Sequence, residues 1–309
     1  MNKRGENYQF EMSSPITAEK SCSRLSTHLT YGTISHRAVF QEATKKRDQI
    51  KHTNKNFAKS INSFLSRLHW RSHFIQKLED QPSIEHTSFI PVYDQIREKD
   101  EEKLEAWIEG KTGVHFIDAC MIYLRNYGWI NFRMRAMLAS FASYNLWLDW
   151  RYFAPRLAAL FTDFEPGIHY SQIQMQSGTT GINTIRMYNP YKQAMDQDPL
   201  AKFIKSQIPK VKNFPPAFFH NPPKKSLNVN LFDNEFQKEI INVKETAQYA
   251  RKKIFDIRKS QEHKILAKNV YLKHGSRGRS FFLYSHVLNK HFLQVFYALV
   301  ICEYQKFFF

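Results

Sequence analysis

Several arginines stand in apolar or aromatic surroundings: Arg24 in "CSRLS", Arg71 in "LHWRSHF", and Arg133 and Arg135 within "GWINFRMRAMLASF" (128–141). A guanidinium keeps its charge at physiological pH, so each must meet an anion or reach water. Hydroxyls at Ser23 and Ser26 and carboxylates at Asp163 and Glu165 complete a set that suits either internal ion pairs or a shared polyphosphate ligand. These residues alone leave the two readings level.

Other chemistries have weaker support. His69 and His73, at i and i+4, could present two imidazoles to a metal, but no third ligand follows at sensible spacing, so they read as ordinary helix residues. No GxGxxG or GxxxxGK[ST] phosphate loop is present, and Ser177 in "QSGTTG" lacks the GxSxG elbow of a hydrolase.

The elements that must carry these residues read as helices. Val39, Phe40 and Ala43, then Phe57, Ile61, Phe64, Leu65, Leu68 and Phe74, recur at helical spacing. "DEEKLEAWIEGKTG" (100–113) is an acidic-first helix closed by Gly110 and Gly113. The densest apolar stretch, 116–161, predicts helices buried on most faces. Pro, Gly, Ser and Thr interrupt 165–183, which reads as a site-forming loop. A proline-rich connector, 214–225, precedes one long basic helix over roughly 243–275. Strand signals are scarce, so the fold class is all-α. The division expected is a polar lead-in (1–20), a helical domain (21–279) and an apolar tail (280–309).

The chain of 309 residues can bury a sizeable core. Its net charge of +17, from 45 Lys+Arg against 28 Asp+Glu, favours nucleic acid, a phosphorylated cofactor or an anionic surface as partner. Aromatics at 15% interleave with that charge and suit stacking on bases or a flavin-like ring. Cys22, Cys120 and Cys302 form no CxxC pair, the N-terminus has no signal-peptide segment, and the longest apolar run, 292–302, is too short to span a bilayer. An intracellular protein without a membrane partner is expected; cytoplasm, nucleus and organelle are not distinguished, and neither is the oligomeric state.

The ordered motifs resemble the FAD-binding helical domain of the DNA photolyases and cryptochromes. "CSRLSTHLTYGTISHRAV" (22–39) is similar to the family's TSRLSPYLxxGxLSPR segment, and "LHWRSHF" (68–74) to its ELxWREF helix. Residues 109–151, from "EGKTGVHFIDA" to "NLWLDWR", resemble its long GKTG-to-DWR signature, and "YNPYKQAMDQDPLAKFIKSQIP" (188–209) its NPxxQxxxxDPxGxYIxxWxP segment. The resemblance implies a multi-helical domain that folds FAD over on itself. It also implies a light-driven reaction in which reduced FAD passes an electron to a pyrimidine dimer in damaged DNA, single strands included.

Carried across residue by residue, the resemblance places Tyr8, Cys22, Ser23, Arg24, Leu25 and Ser26 on the phosphate side of FAD. Phe64, Arg71, Arg135, Asp163, Phe164, Glu165 and His169 are placed around the rest of the cofactor. Arg135 pairs with Asp163 beside the flavin, and His169 falls where an asparagine usually faces flavin N5. Arg67, Trp70, Phe132, Arg133, Met175 and Gln193 fall on the DNA side, and Trp150 matches one member of the tryptophan electron relay.

The departures bear on repair. Arg67 replaces the glutamate that hydrogen-bonds the dimer, Phe132 an asparagine, and Ala136 a methionine. "IQM" (173–175) replaces WQW, so the flavin-proximal relay position is Ile173, and the terminal one falls near Arg97. The family's α/β antenna domain precedes this region, so a free-standing flavin domain or a fragment is expected. The leading expectation is a photolyase-like carbon–carbon lyase. The alternatives are a cryptochrome-like flavoprotein without repair and a degenerate nucleic-acid-binding relic.

Overall fold

Ser35, Asn54 and Asp100 each turn a side-chain oxygen onto the first free backbone N–H groups of a helix, starting His36–Ile50 (α4), Lys55–Asp80 (α5) and Glu101–Glu109 (α6). Before them come short helices at Tyr8–Glu11 (α1), Pro15–Ser21 (α2) and Ser26–Thr30 (α3). The polar lead-in expected over 1–20 is therefore largely helical from Tyr8 onward. Left-handed Gly110 and Gly128 end α6 and His115–Tyr127 (α7). Phe132–Ser140 (α8) runs into a π-helical turn at Phe141–Asn145. Trp150–Ala158 (α9), Pro166–Ser177 (α10), Pro190–Gln197 (α11) and Lys202–Gln207 (α12) follow, then Val243–Lys259 (α13) and Gln261–His274 (α14).

The computed structural model describes residues 4–221 and 238–275. No strand is formed among them, only an isolated bridge between Glu98 and Leu148, in agreement with the all-α expectation. The apolar tail expected over 280–309 lies outside the described residues. One compact unit covers residues 1–270, and a second begins at Tyr271.

Two expectations change. Of residues 165–183, expected as a loop, 166–177 form a helix and only 178–183 turn irregularly. Pro166 sits at the first helical position, where its missing N–H costs nothing, and Gly178 takes the left-handed position that closes α10. The proline and glycine thus bound a helix. The long basic helix is broken at Ser260, whose backbone turns extended (φ −63°, ψ 147°) and whose hydroxyl caps the N–H of His263, so α13 and α14 are separate.

The largest core joins Trp107, Met121, Leu124, Met137, Phe141, Trp150 and Phe153, all buried, from α6 to α9. A second gathers Ile84, Ile90, Tyr93 and Tyr144 under Ala250 and Ile254 of α13. A third seals α4 on α5 through Val39, Ala43, Ile61, Leu65 and Leu68. Helix α5 packs on α1, α4 and α10. It is the scaffold that brings the N-terminal helices to the segment around Asp163.

Candidate functional site

The loop after α9 docks on the end of α7. Thr162 donates its N–H (2.9 Å) and its hydroxyl (3.1 Å) to the Gly128 carbonyl. Gly128 is left-handed at φ +65°, and a Cβ there would fall 2.4 Å from Thr162 Cγ2. This anchoring delivers Asp163 to Arg135, one of the arginines of 128–141. Arg135 Nη1 and Nη2 donate to the two carboxylate oxygens at 3.0 and 2.9 Å, and Nε donates to the Ile130 carbonyl at 2.7 Å. The guanidinium lies 4.3 Å from the Phe161 ring centroid. Burial pushes the Asp163 carboxyl up, but the Arg135 charge and hydrogen bonds from Arg135 and Ser26 outweigh it and hold the pKa below the usual range. Ser26 thus ties α3 to the pair, and the Thr30 hydroxyl reaches the Asp163 carbonyl as well.

A second ion pair lies beside it. Arg71 on α5 donates to Glu165 at 3.0 Å and to the Leu29 carbonyl at 3.3 Å. Gly167 lets α10 approach α5 closely, since a Cβ there would fall 2.7 Å from Ile75 Cα. His169, two residues further, is buried between Phe164 and Tyr170, with Nε2 2.9 Å from the Ala154 carbonyl. A carbonyl only accepts, so Nε2 carries the proton and Nδ1 is left as an acceptor. Burial pulls the His169 pKa down to about 4, so the ring is neutral at physiological pH.

A cavity of about 530 Å³ opens between α1, the 21–25 segment and α5. Of the residues expected on the cofactor, Tyr8, Ser23, Leu25 and Phe64 line it, with Tyr8 and Phe64 edge to face at 6.3 Å. Cys22 adjoins it; burial pushes its thiol up to about 11, so it stays neutral. Arg24 does not line the cavity: it takes a left-handed backbone (φ 59°) and lays its guanidinium 4.0 Å from the Trp129 ring centroid. Sequence reasoning missed Arg4, Ser21 and Ser60 as lining groups. Phe57, Ser60, Ile61 and Phe64 share one face at helical spacing, and that pattern was readable as a single face.

The residues expected on the DNA side divide. Arg67, exposed, lies at the cavity's edge, where its charge acts on the Tyr8 hydroxyl. Trp70 is 42% exposed although stacked on Phe74, and Phe132 is 52% exposed. Arg133 is half-buried and its Nε has no protein partner, so it does not share the anion of Arg135. Met175 is half-buried, whereas Gln193 is buried with its carbonyl oxygen unpartnered. Trp150 is buried, donates to the Ser88 hydroxyl at 2.9 Å, and has Tyr170 as an aromatic neighbour at 6.4 Å. No group of three metal-ligating side chains occurs among the described residues, and none of their helices is long and apolar enough to cross a membrane.

The cavity is lined by rings (Tyr8, Phe57, Phe64) together with hydroxyls (Ser21, Ser23, Ser60) and the guanidinium of Arg4. That mixed lining fits a ligand made of flat rings and a pyrophosphate, such as FAD. The model of the FAD-binding domain of DNA photolyase matches residues 64–263. A deoxyribodipyrimidine photo-lyase of Buchnera aphidicola subsp. Baizongia pistaciae is 32% identical over 241 residues, covering 76% of this chain and 48% of that one. The crystal structure of the archaeal photolyase from Sulfolobus tokodaii, described with two FAD molecules, superposes with a TM-score of 0.65 at 29% identity over 80% of this chain and 52% of that one. The cryptochrome of Synechocystis sp. PCC6803 shares the fold, with a TM-score of 0.72 at 22% identity over 81% of this chain and 52% of that one. The chain spans about half the length of the curated relatives it matches. With the family model matched over most of the helical core, the chain belongs to the photolyase/cryptochrome family, through the FAD-binding domain of DNA photolyase.

Proposed function

We propose that this chain carries the flavin site of a light-driven DNA repair lyase acting on pyrimidine dimers. The supporting observation is that the charge of exposed Arg67 acts on Tyr8, a lining residue of the cavity, with Trp70 exposed one turn further along α5. A cofactor held inside the cavity would thereby lie within reach of a base presented at its edge. Reduced FAD, when bound, supplies the electron that light drives into the dimer.

The residues of the chain hold and orient. Tyr8, Ser23, Leu25 and Phe64 would bind FAD in the cavity, with Cys22 adjacent as a weak neutral donor. Arg135, fixed by Asp163 and the Ile130 carbonyl, would present its guanidinium to the flavin's carbonyl edge and favour negative charge there. Neutral His169 would offer Nδ1 as an acceptor on the same side. Arg24, turned onto Trp129, would shape the 22–26 turn and not touch a phosphate itself. Exposed Trp70 and Phe132 would stack on an extruded base, and Arg67 and Arg133 would meet phosphate oxygens. A photon supplies the energy, so no acid–base dyad is required.

A cryptochrome-like role without repair is the second reading. It is favoured by Arg67, a cation where the family's dimer-binding carboxylate stands, and by Ile173 and Met175 in place of aromatics. Blue illumination of the reduced holoprotein with thymine-dimer DNA separates the two. Light-dependent loss of dimers supports repair, and a stable flavin signal with no dimer loss supports the second reading.

A further inference from the structure

Away from the flavin site, two guanidinium groups, those of Arg97 and of Arg258 on α13, make no ion pair with a carboxylate among the described residues. Arg97 is only 6% exposed; its Nε donates to the Ser143 carbonyl at 3.0 Å and its Nη2 to the Ser177 carbonyl at 2.8 Å. Its plane faces Trp147, 4.7 Å from the ring centroid, with the Tyr144 ring at 5.8 Å. Every one of these partners is neutral, and Nη1 has no protein partner. Arg258, half-buried on α13, donates to the Asn183 carbonyl at 2.8 Å and acts electrostatically on Tyr93, while its Nε atom is buried and unpartnered.

Between them lies Tyr144, 1% exposed, whose hydroxyl has no protein partner. The hydroxyls of Ser143 and Ser177 are equally buried and equally unpartnered. Both arginines act on the Tyr144 hydroxyl electrostatically, and Gly178 opens against it: a Cβ there would fall 2.5 Å from the phenolic oxygen. Asp149, the carboxylate whose charge acts on Arg97, is taken twice over, by the guanidinium of Arg151 and by the Arg151 backbone N–H at the start of α9. Asp94 accepts from the Ser88 N–H. Among the described residues neither Arg97 nor Arg258 makes an ion pair. A buried cation without a contacting anion is strongly destabilising, and a neutral water would complete hydrogen bonds but leave the buried Arg97 without an anion in contact.

We infer that Arg97, Tyr144 and Arg258, with the Ser143 and Ser177 hydroxyls, form a binding site for one small monovalent inorganic anion of the chloride class. The crowding that reserves position 178 for glycine suits a monatomic ion over phosphate or a carboxylate ligand. The ion would fasten α13 to the π-helical turn and to the end of α10, and it stands independently of the flavin reading.

The test is thermal unfolding of the purified protein in sodium chloride against sodium gluconate at equal ionic strength, since gluconate is too large to be buried. The midpoint should rise in chloride by about 2–4 °C at ten times the dissociation constant, and Tyr144→Phe should abolish most of that difference. A crystal grown in bromide should show an anomalous peak within hydrogen-bond reach of Arg97 and the Tyr144 hydroxyl. Equal midpoints in the two salts, or a bromide map with only water at that position, would overturn the site.

Discussion

Arg135 and Asp163 face each other with two parallel hydrogen bonds of 3.0 and 2.9 Å, across 28 residues of chain. The carboxylate is almost wholly buried, and the guanidinium keeps part of its edge open. Such a pair orients a cation toward a ligand while cancelling its charge toward the protein. Asp163→Asn keeps the shape and removes the charge. It should cost about 2 kcal/mol of stability, less than for a fully buried pair because Arg135 is partly solvated, and should lower flavin retention at least tenfold. Flavin absorbance per protein after gel filtration reads this out, and unchanged retention would dismiss Arg135 as a cofactor contact.

Gly178→Ala tests the packing at the end of α10. The residue is left-handed at φ +73°, and the added Cβ would meet the Tyr144 hydroxyl at 2.5 Å. Both effects destabilise, together by about 2–3 kcal/mol, measured as a lower denaturant midpoint with an unchanged slope. A midpoint equal to wild type would mean that this helix end repacks freely.

His169 makes stability depend on pH. Burial places its folded pKa at about 4, below the ordinary 6.5, so between these values the unfolded chain binds a proton that the folded chain does not. Stability contributed by the neutral ring is present above pH 6.5 and is lost as pH falls toward 4, by up to roughly 3 kcal/mol. Asp118, whose carboxyl burial raises to about 6, works in the opposite direction over part of that window. The histidine is therefore read by difference: the loss on acidification should be smaller in His169→Gln than in wild type. Parallel pH profiles would contradict a buried neutral imidazole.

Arg67 at the cavity's edge should act on DNA through phosphate and not through a base. Arg67→Ala is expected to weaken binding to dimer-containing and undamaged DNA alike, by about threefold at moderate salt, and to reduce the salt slope by about 1. A loss confined to damaged DNA would mean that the arginine contacts the lesion.

Much of the fold was legible because the apolar spacing is helical throughout and Ser35, Asn54, Asp100, Gly110 and Gly128 punctuate it locally. The Arg135–Asp163 pairing was legible only through ordered motifs, since nothing local links positions so far apart. Helix α10 was misread because Pro166 and Gly178 carry the same letters at helix ends as in loops; only the uninterrupted residues between them distinguish the cases. Ser260 was invisible as a break because serine is tolerated inside helices and becomes a cap only when the chain must turn. The turn of Arg24 onto Trp129 depends on a left-handed backbone that a non-glycine residue adopts only under tertiary pressure. The burial of Arg97 likewise comes from elements far apart in sequence, the π-helical turn and the end of α10.

The most direct measurement is the visible absorption spectrum of the purified protein, with the cofactor released by denaturation and weighed by mass spectrometry. The account predicts a flavin band that disappears on reduction and FAD at about one equivalent per chain, bound in a cavity that Phe64→Ala and Ser23→Ala each weaken. A colourless protein that takes up no FAD from solution, while remaining folded by circular dichroism, would contradict it.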